Sequence, residues 1–174
     1  MADYYLEFYE TVSGLSEPEA AWLADQLLCI AVIGGVAYPA DEIPEGATTG
    51  QVDWLGPRFL LGVEGYEESP EEPAFCFKLG VDDDEGDCDR YLWLYSEDHA
   101  DLDQVALLAQ NFLREFRPAD VWTITYATTC SKPRVGAFGG GAGIVTADTI
   151  VWYDAETIAD EARQQAARKL SGSS

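Results

Sequence analysis

Ala74–Val81, AFCFKLGV, and Arg90–Ser96, RYLWLYS, stand on either side of Asp82–Asp89, DDDEGDCD. Two apolar and aromatic runs of strand length, separated by a short polar segment with a glycine, read as a β-hairpin with an acidic tip. Side chains alternate across a strand, so Tyr91, Trp93 and Tyr95 share one face and Leu92 and Leu94 the other. Two packings fit this pattern. Leucines toward the core would leave the aromatic row facing outward or into a partner, where Tyr and Trp are favoured. Aromatics toward the core would leave the leucines outside.

Reading outward from the hairpin extends the pattern. Asp3–Val12, DYYLEFYETV, alternates with Tyr4, Leu6 and Phe8 on one face and Tyr5, Glu7 and Tyr9 on the other, as a strand does. Ser16–Gly35, SEPEAAWLADQLLCIAVIGG, predicts a helix. Ser16 and Glu19 form a capping box, Pro18 lies in the first turn, Leu23, Leu27, Leu28 and Val32 recur at helical spacing, and Gly34–Gly35 end it. Tyr38–Gly50 reads as a long loop, Val52–Tyr66 as one or two strands broken near Gly56–Pro57, and Glu67–Pro73 as an acidic loop with two prolines. Beyond the hairpin, Asp101–Phe116 predicts a helix stopped by Pro118, and Val121–Thr129 a strand. Ala142–Asp154 predicts a short strand pair or one bent strand. Asp154 caps a last helix, Ala155–Leu170, whose largely alanine apolar face places it at an edge.

Hairpins dominate this order and no regular βαβ alternation appears. The expectation is an α+β fold: a mostly antiparallel sheet with about three helices packed mainly on one face. The 174 residues fit one globular domain, 1–170, followed by a disordered tail, 171–174. The longest apolar run, Leu27–Val36, is broken by two glycines and is too short to span a bilayer. The N-terminus is acidic and alternating, unlike a secretory signal. A cytoplasmic protein of a bacterial host, with no membrane partner, is the expectation. Cys29, Cys76, Cys88 and Cys130 form no CxxC pair, Cys29 falls on the predicted first helix, and buried free thiols are expected.

Charge is the strongest signal. Ten Lys and Arg face 32 Asp and Glu, a formal net charge of −22. The first cation in the chain is Arg58, and up to Asp89 only Arg58 and Lys78 offset the acids. Small soluble domains typically carry a net charge of about 2–8. The surplus here destabilises the compact state by self-repulsion, which calls for a compensating role or a salty cell.

Three motifs invite chemistry. Ser131–Gly143, SKPRVGAFGGGAG, combines two cations with five glycines. A Walker A loop needs its Lys after the glycines, whereas Lys132 and Arg134 precede them. A Rossmann fingerprint needs a helix after the glycines, and here a strand follows. The favoured reading is a wide β-loop whose glycines permit positive φ and close backbone packing. The alternative is an anion or ligand site formed by Lys132, Arg134 and the amides of Gly139, Gly140 and Gly141. Asp82–Asp89 suggests calcium, but with Gly86 at position 6 of an EF-hand frame, positions 1 and 12 become Val81 and Leu92, so the register fails. Carboxylate pairs for a hydrolase arise by chance in so acidic a chain and none sits in a recognisable frame. The lone histidine, His99, beside Asp98 near a helix start, reads as a capping residue. Neither a metal, a cofactor nor a catalytic residue is assigned.

The segments CSKPR and FGGGA resemble loops of small proteins carried by bacterial phages and plasmids. The resemblance covers about a dozen residues and carries over no catalytic residue. It implies a mobile-element setting only.

The leading functional expectation is an acidic, non-enzymatic interaction protein that imitates DNA and inhibits a nucleic-acid-binding enzyme such as a restriction or CRISPR nuclease. Duplex DNA carries one phosphate per roughly 1.7 Å of axis, and its binding proteins present Lys and Arg tracks that a carboxylate array can occupy. Asp41, Glu42 and Glu45, then Glu64, Glu67, Glu68, Glu71 and Glu72, then Asp82, Asp83, Asp84, Glu85, Asp87 and Asp89 are the residues expected to meet that basic partner. A small-molecule or anion-binding protein built on Ser131–Gly143 is one alternative. A homo-oligomeric structural protein, for example a homodimer through the aromatic strand, is another.

Overall fold

In the computed structural model of this chain, residues 3–28, 30–33, 36–39, 52–54, 57–60, 63, 73–82, 89–132 and 138–171 are described. The alternating segments form six strands of one antiparallel sheet: β1 (Tyr4–Val12), β5 (Cys76–Asp82), β6 (Asp89–Ser96), β7 (Trp122–Cys130), β8 (Gly139–Val145) and β9 (Ile150–Asp154). Their order is β5-β6-β1-β7-β8-β9, so the N-terminal strand lies inside the sheet. The hairpin is in register from Cys76 opposite Tyr95 to Asp82 opposite Asp89. With three helices, α1 (Glu17–Leu27), α2 (Leu102–Phe116) and α3 (Ala155–Ser171), this is an α+β fold.

Local chemistry sets the helix boundaries. Ser16 precedes α1, and the Glu19 carboxylate accepts both its backbone N–H and its hydroxyl at 2.7 Å. Asp101 caps α2, accepting the N–H groups of Asp103 and Gln104. That role belongs to Asp101 rather than His99, whose carbonyl accepts the Ser96 hydroxyl and whose exposed ring lies against Asp98. Asp154 caps α3 through Thr157, and these hydrogen bonds hold its carboxyl below the usual range.

Leu23 and Leu27 of α1 and Val105, Leu108, Ala109, Phe112 and Leu113 of α2 pack against Phe8, Leu92, Leu94, Ile124 and Val145 of the sheet. Leu92 and Leu94 are fully buried, which resolves the two packings left open by alternation: the leucines face the helices. Trp122 joins this core, while Trp22 and Trp152 pack at its margin. The side chain of Trp54 lies outside the described residues. Between α1 and α2, Glu19 is buried and accepts the Arg117 Nε proton at 2.6 Å. That hydrogen bond, helped by those from Ser16, lowers the Glu19 pKa to about 2 against the opposing effect of burial.

Several expectations need correction. α1 ends at Leu27, not at Gly34–Gly35, and Val32 belongs to a strand. Ile30–Ile33 forms β2, which pairs with β3 (Val36–Pro39) and β4 (Val52–Trp54) in a second, three-stranded sheet. Three of the four β2 residues are β-branched, and such side chains lose χ1 freedom in a helix but suit a pleated surface. Tyr38 and Pro39, assigned to a loop, form the end of β3. Directly after Pro57 the chain makes a 3-10 turn, Arg58–Leu60, that buries Phe59 and Leu60, where strand was expected, and most of Leu61–Tyr66 lies outside the described residues. Gly139–Gly143 lies in a strand, not a loop, and Ser171 belongs to α3. Cys130 is a buried free thiol, as expected, but Cys76 is exposed. Cys29, expected on the first helix, and Cys88 both fall outside the described residues.

Candidate functional site

Burial and register together define the two faces of the large sheet. Phe8, Leu92, Leu94, Trp122, Ile124 and Val145 point toward the helices. Their neighbours in sequence therefore point the other way. On β5 these are Cys76, Lys78, Gly80 and Asp82, on β6 Asp89, Tyr91, Trp93 and Tyr95, and on β1 Tyr5, Glu7, Tyr9 and Thr11. None of the described helical core residues packs on this side.

The register brings Tyr9 directly opposite Tyr95, and Thr11 opposite Trp93. A stack results. Trp93 and Tyr95 have ring centroids 4.5 Å apart, and Tyr9 lies 6.2 Å from each with near-parallel planes. Tyr91 lies over Gly80, where an added Cβ would come within 2.7 Å of the phenol oxygen. The Lys78 ammonium sits 5.8 Å from the Tyr91 ring centroid, a cation–π contact. Tyr9 donates its hydroxyl proton to Glu97 Oε1 at 3.0 Å. That hydrogen bond, with the negative charges of Glu97 and Glu7, raises the Tyr9 pKa.

At the turn end of the hairpin, Asp82 and Asp89 face one another across the ladder, both exposed. Like charges directly opposite on paired strands are destabilising. Among the described residues, none of the ion pairs reaches either carboxylate: Arg58 pairs with Asp25, Arg117 with Glu19 and Arg163 with Asp160. Asp89 Oδ1 accepts the Gly14 N–H at 2.7 Å, which fixes this side of the hairpin end to the turn after β1. Of the other acidic residues expected at a partner interface, Asp83, Asp84, Glu85 and Asp87 lie outside the described residues. So do Asp41, Glu42 and Glu45, and Glu64, Glu67, Glu68, Glu71 and Glu72.

In the glycine-rich segment, Lys132 is exposed after β7, and Arg134 lies outside the described residues. Gly139, Gly140 and Gly141 pair with Thr128, Ala127 and Tyr126 in the β7–β8 ladder. Close packing, which the sequence suggested, explains these glycines. A Cβ at Gly143 would lie 2.3 Å from the Trp152 ring, and one at Gly141 2.2 Å from the Tyr153 carbonyl oxygen and 2.7 Å from the Tyr126 hydroxyl. The strand is stripped of side chains so that two aromatic rings can cross it.

Beyond Phe8, β1 follows β6 and its described pairing with β7 stops. Glu10 bridges the separation: its carboxylate accepts the Thr125 N–H at 2.7 Å and the Thr125 hydroxyl at 3.1 Å. An open cleft of about 450 Å³ lies here, lined by Glu10, Ser13, Arg117, Asp120 and Thr123 among others. Its one cation is committed to Glu19, so the cleft presents carboxylates without a free counter-charge among its described residues. No cluster of three or more His, Cys, Asp or Glu among the described residues is placed to hold a metal ion.

Sequence reasoning singled out Tyr91, Trp93 and Tyr95 but not Tyr9, Glu97 or Glu10. Alternation in β1 did place Tyr9 and Glu7 on one face. Only the register, which sets Tyr9 beside Tyr95, assembles them into one site. Comparison with known proteins returns no match of this chain to any family model, curated protein or solved structure.

Proposed function

We propose that this protein is a non-enzymatic acidic interaction protein that occupies the nucleic-acid track of a basic enzyme, with a restriction or CRISPR nuclease as the partner class and inhibition as the outcome. A phage or plasmid is the setting in which such an inhibitor is useful. One observation carries the reading: the exposed Asp82–Asp89 pair at the end of a seven-pair hairpin ladder, which no ion pair among the described residues neutralises. A fold gains nothing in stability from opposing two carboxylates there. It gains a rigid base for the acids between them.

Six of the eight residues from Asp82 to Asp89 carry carboxylates: Asp82, Asp83, Asp84, Glu85, Asp87 and Asp89. Duplex DNA carries one phosphate per roughly 1.7 Å of axis, and it is this dense row of like charge that the acidic hairpin end is proposed to replace.

The test is a DNA-cleavage assay on purified restriction and CRISPR nucleases, selected by capture on the immobilised protein and elution with a salt gradient. Inhibition that weakens with added salt and with added competitor DNA is expected. The triple variant Asp82→Asn, Asp83→Asn, Asp84→Asn should lose at least ten-fold in inhibitory potency, whereas Arg134→Ala should change little. Equal potency of the triple variant and the parent would remove the hairpin end from the function. A small-molecule role for Ser131–Gly143 predicts instead a thermal shift with inorganic phosphate or sulfate that Arg134→Ala abolishes.

A further inference from the structure

The face of β5, β6 and β1 turned away from the α1–α2 core combines three features. Its rings form a near-parallel stack, with 9° between Tyr9 and Tyr95 and 26° between Trp93 and Tyr95. Its outward acidic groups are Glu7, Asp82 and Asp89, with Glu97 at the rim, against one cation, Lys78, among the described residues of these strands. At one end that cation already rests on an aromatic ring, Tyr91. Over Tyr9, Trp93 and Tyr95 no cation lies among the described residues.

Aromatic faces attract cations through their quadrupole, and neighbouring carboxylates add to the attraction. A planar, weakly hydrated guanidinium stacks on parallel rings better than a compact ammonium does. Nucleic-acid bases also stack on such platforms, but their phosphates would meet the acids here and a chain of net charge −22. Charge complementarity therefore selects a basic protein.

We infer that this face receives arginine side chains of a basic protein partner, stacked on the Tyr9–Trp93–Tyr95 rings and paired with Glu97 and Glu7. The inference rests on the proposed function and adds to it. The hairpin end supplies long-range attraction, and the aromatic face supplies selectivity for Arg. Glu97 accepts the Tyr9 hydroxyl through one oxygen, and a carboxylate has room for further donors. Glu7, which accepts the Thr129 hydroxyl at 3.0 Å, is likewise held in place on the sheet.

The test uses fluorescence anisotropy with labelled nona-arginine and nona-lysine, equal in charge, titrated with the full chain at low and moderate salt. The parent should prefer the arginine peptide by about five-fold, the size expected of one or two exposed cation–π contacts. Trp93→Thr/Tyr95→Thr, which keeps β-compatible residues on the outer face, should lose the preference while retaining salt-sensitive binding of both peptides. Glu97→Gln should reduce arginine binding about two-fold to three-fold with the fold intact by circular dichroism. Equal binding of the two peptides by the parent, or a preference that survives the double variant, overturns the inference and leaves the proposed function standing. No salt-sensitive binding of either peptide overturns both. A labelled single-stranded oligonucleotide that binds this face overturns the choice of partner. So does a dimeric parent that the double variant converts to a monomer, because a second copy would then cover the rings.

Discussion

The two faces of the large sheet are built from the same strands by opposite rules. Toward the helices, Leu92 and Leu94 are fully buried beside Phe8 and Ile124. One residue along in each direction, Tyr91, Trp93 and Tyr95 carry rings that pack on one another and on Tyr9, beside acidic groups and threonines. The inner face is held by exclusion of water. The outer face presents aromatic rings, a residue type enriched at interfaces, beside carboxylates. The contrast teaches that the water-excluding core and the aromatic face proposed for recognition occupy alternate positions of one strand, so mutations can address them separately.

Leu94→Ala should produce the largest effect, about 2–5 kcal/mol lost in urea unfolding, because it leaves a cavity in a fully buried site. Its neighbour variant, Trp93→Thr, should cost under about half of that. Equal losses would mean the outer face is also structural core and would break the comparison.

The second expectation concerns pH. The Glu19 pKa is lowered from 4.5 to about 2 by its hydrogen bond to Arg117 and those to Ser16. A depressed carboxylate pKa stabilises the folded state above the unfolded value and loses that contribution as pH falls through the folded one. The contribution should be present above about pH 4.5 and vanish between there and pH 2, with a size of up to about 3 kcal/mol. Other carboxylates titrate in the same range, so the measurable quantity is the difference in unfolding free energy between the parent and Glu19→Gln. That difference should shrink as the pH is lowered across this window.

Gly143→Ala should cost about 1–3 kcal/mol, since its Cβ would meet the Trp152 ring. Thermal unfolding of Gly143→Ala alongside Gly143→Ala/Trp152→Leu sharpens the point: removing the ring should recover part of the loss.

The smallest effect carries the opposite sign. Asp82→Asn/Asp89→Asn should stabilise the fold by a few tenths of a kcal/mol at low salt, through relief of the opposed charges. Loss of the Asp89 hydrogen bond to Gly14 would offset part of this gain, so Asp82→Asn alone should stabilise more cleanly. A destabilised Asp82→Asn would show that the pair is structural and would undercut its functional reading.

Much of the antiparallel architecture was legible in the chain. Strand alternation marked β1, β5, β6 and β7, Asp101 and Pro118 framed α2, and Asp154 announced α3. The end of α1 was not legible, because Leu27, Leu28 and Val32 keep helical spacing although Ile30–Ile33 pairs with β3 and β4. β3 begins only three residues after β2, so the glycine pair read as a helix end in fact separates two strands, and the one remote partner is β4, about twenty residues on. The glycines after Phe138 were ambiguous for a related reason: a residue with no side chain has no alternation to read, and their strand exists because Tyr126 and Trp152 cross it.

The sequence alone determined the charge, its concentration before Arg90, and the sets of residues that share each strand face, because these follow from composition and the two-residue period of the strand. Only the tertiary structure decided which face is covered, that Tyr9 joins Trp93 and Tyr95, and that Asp82 opposes Asp89. The register of β1 with β6 and β7 joins segments eighty or more residues apart, which no local stretch of chain encodes. In the β5–β6 hairpin the local pattern marks the two strands and the acidic tip but leaves the pairing to be fixed by which face packs on α1 and α2.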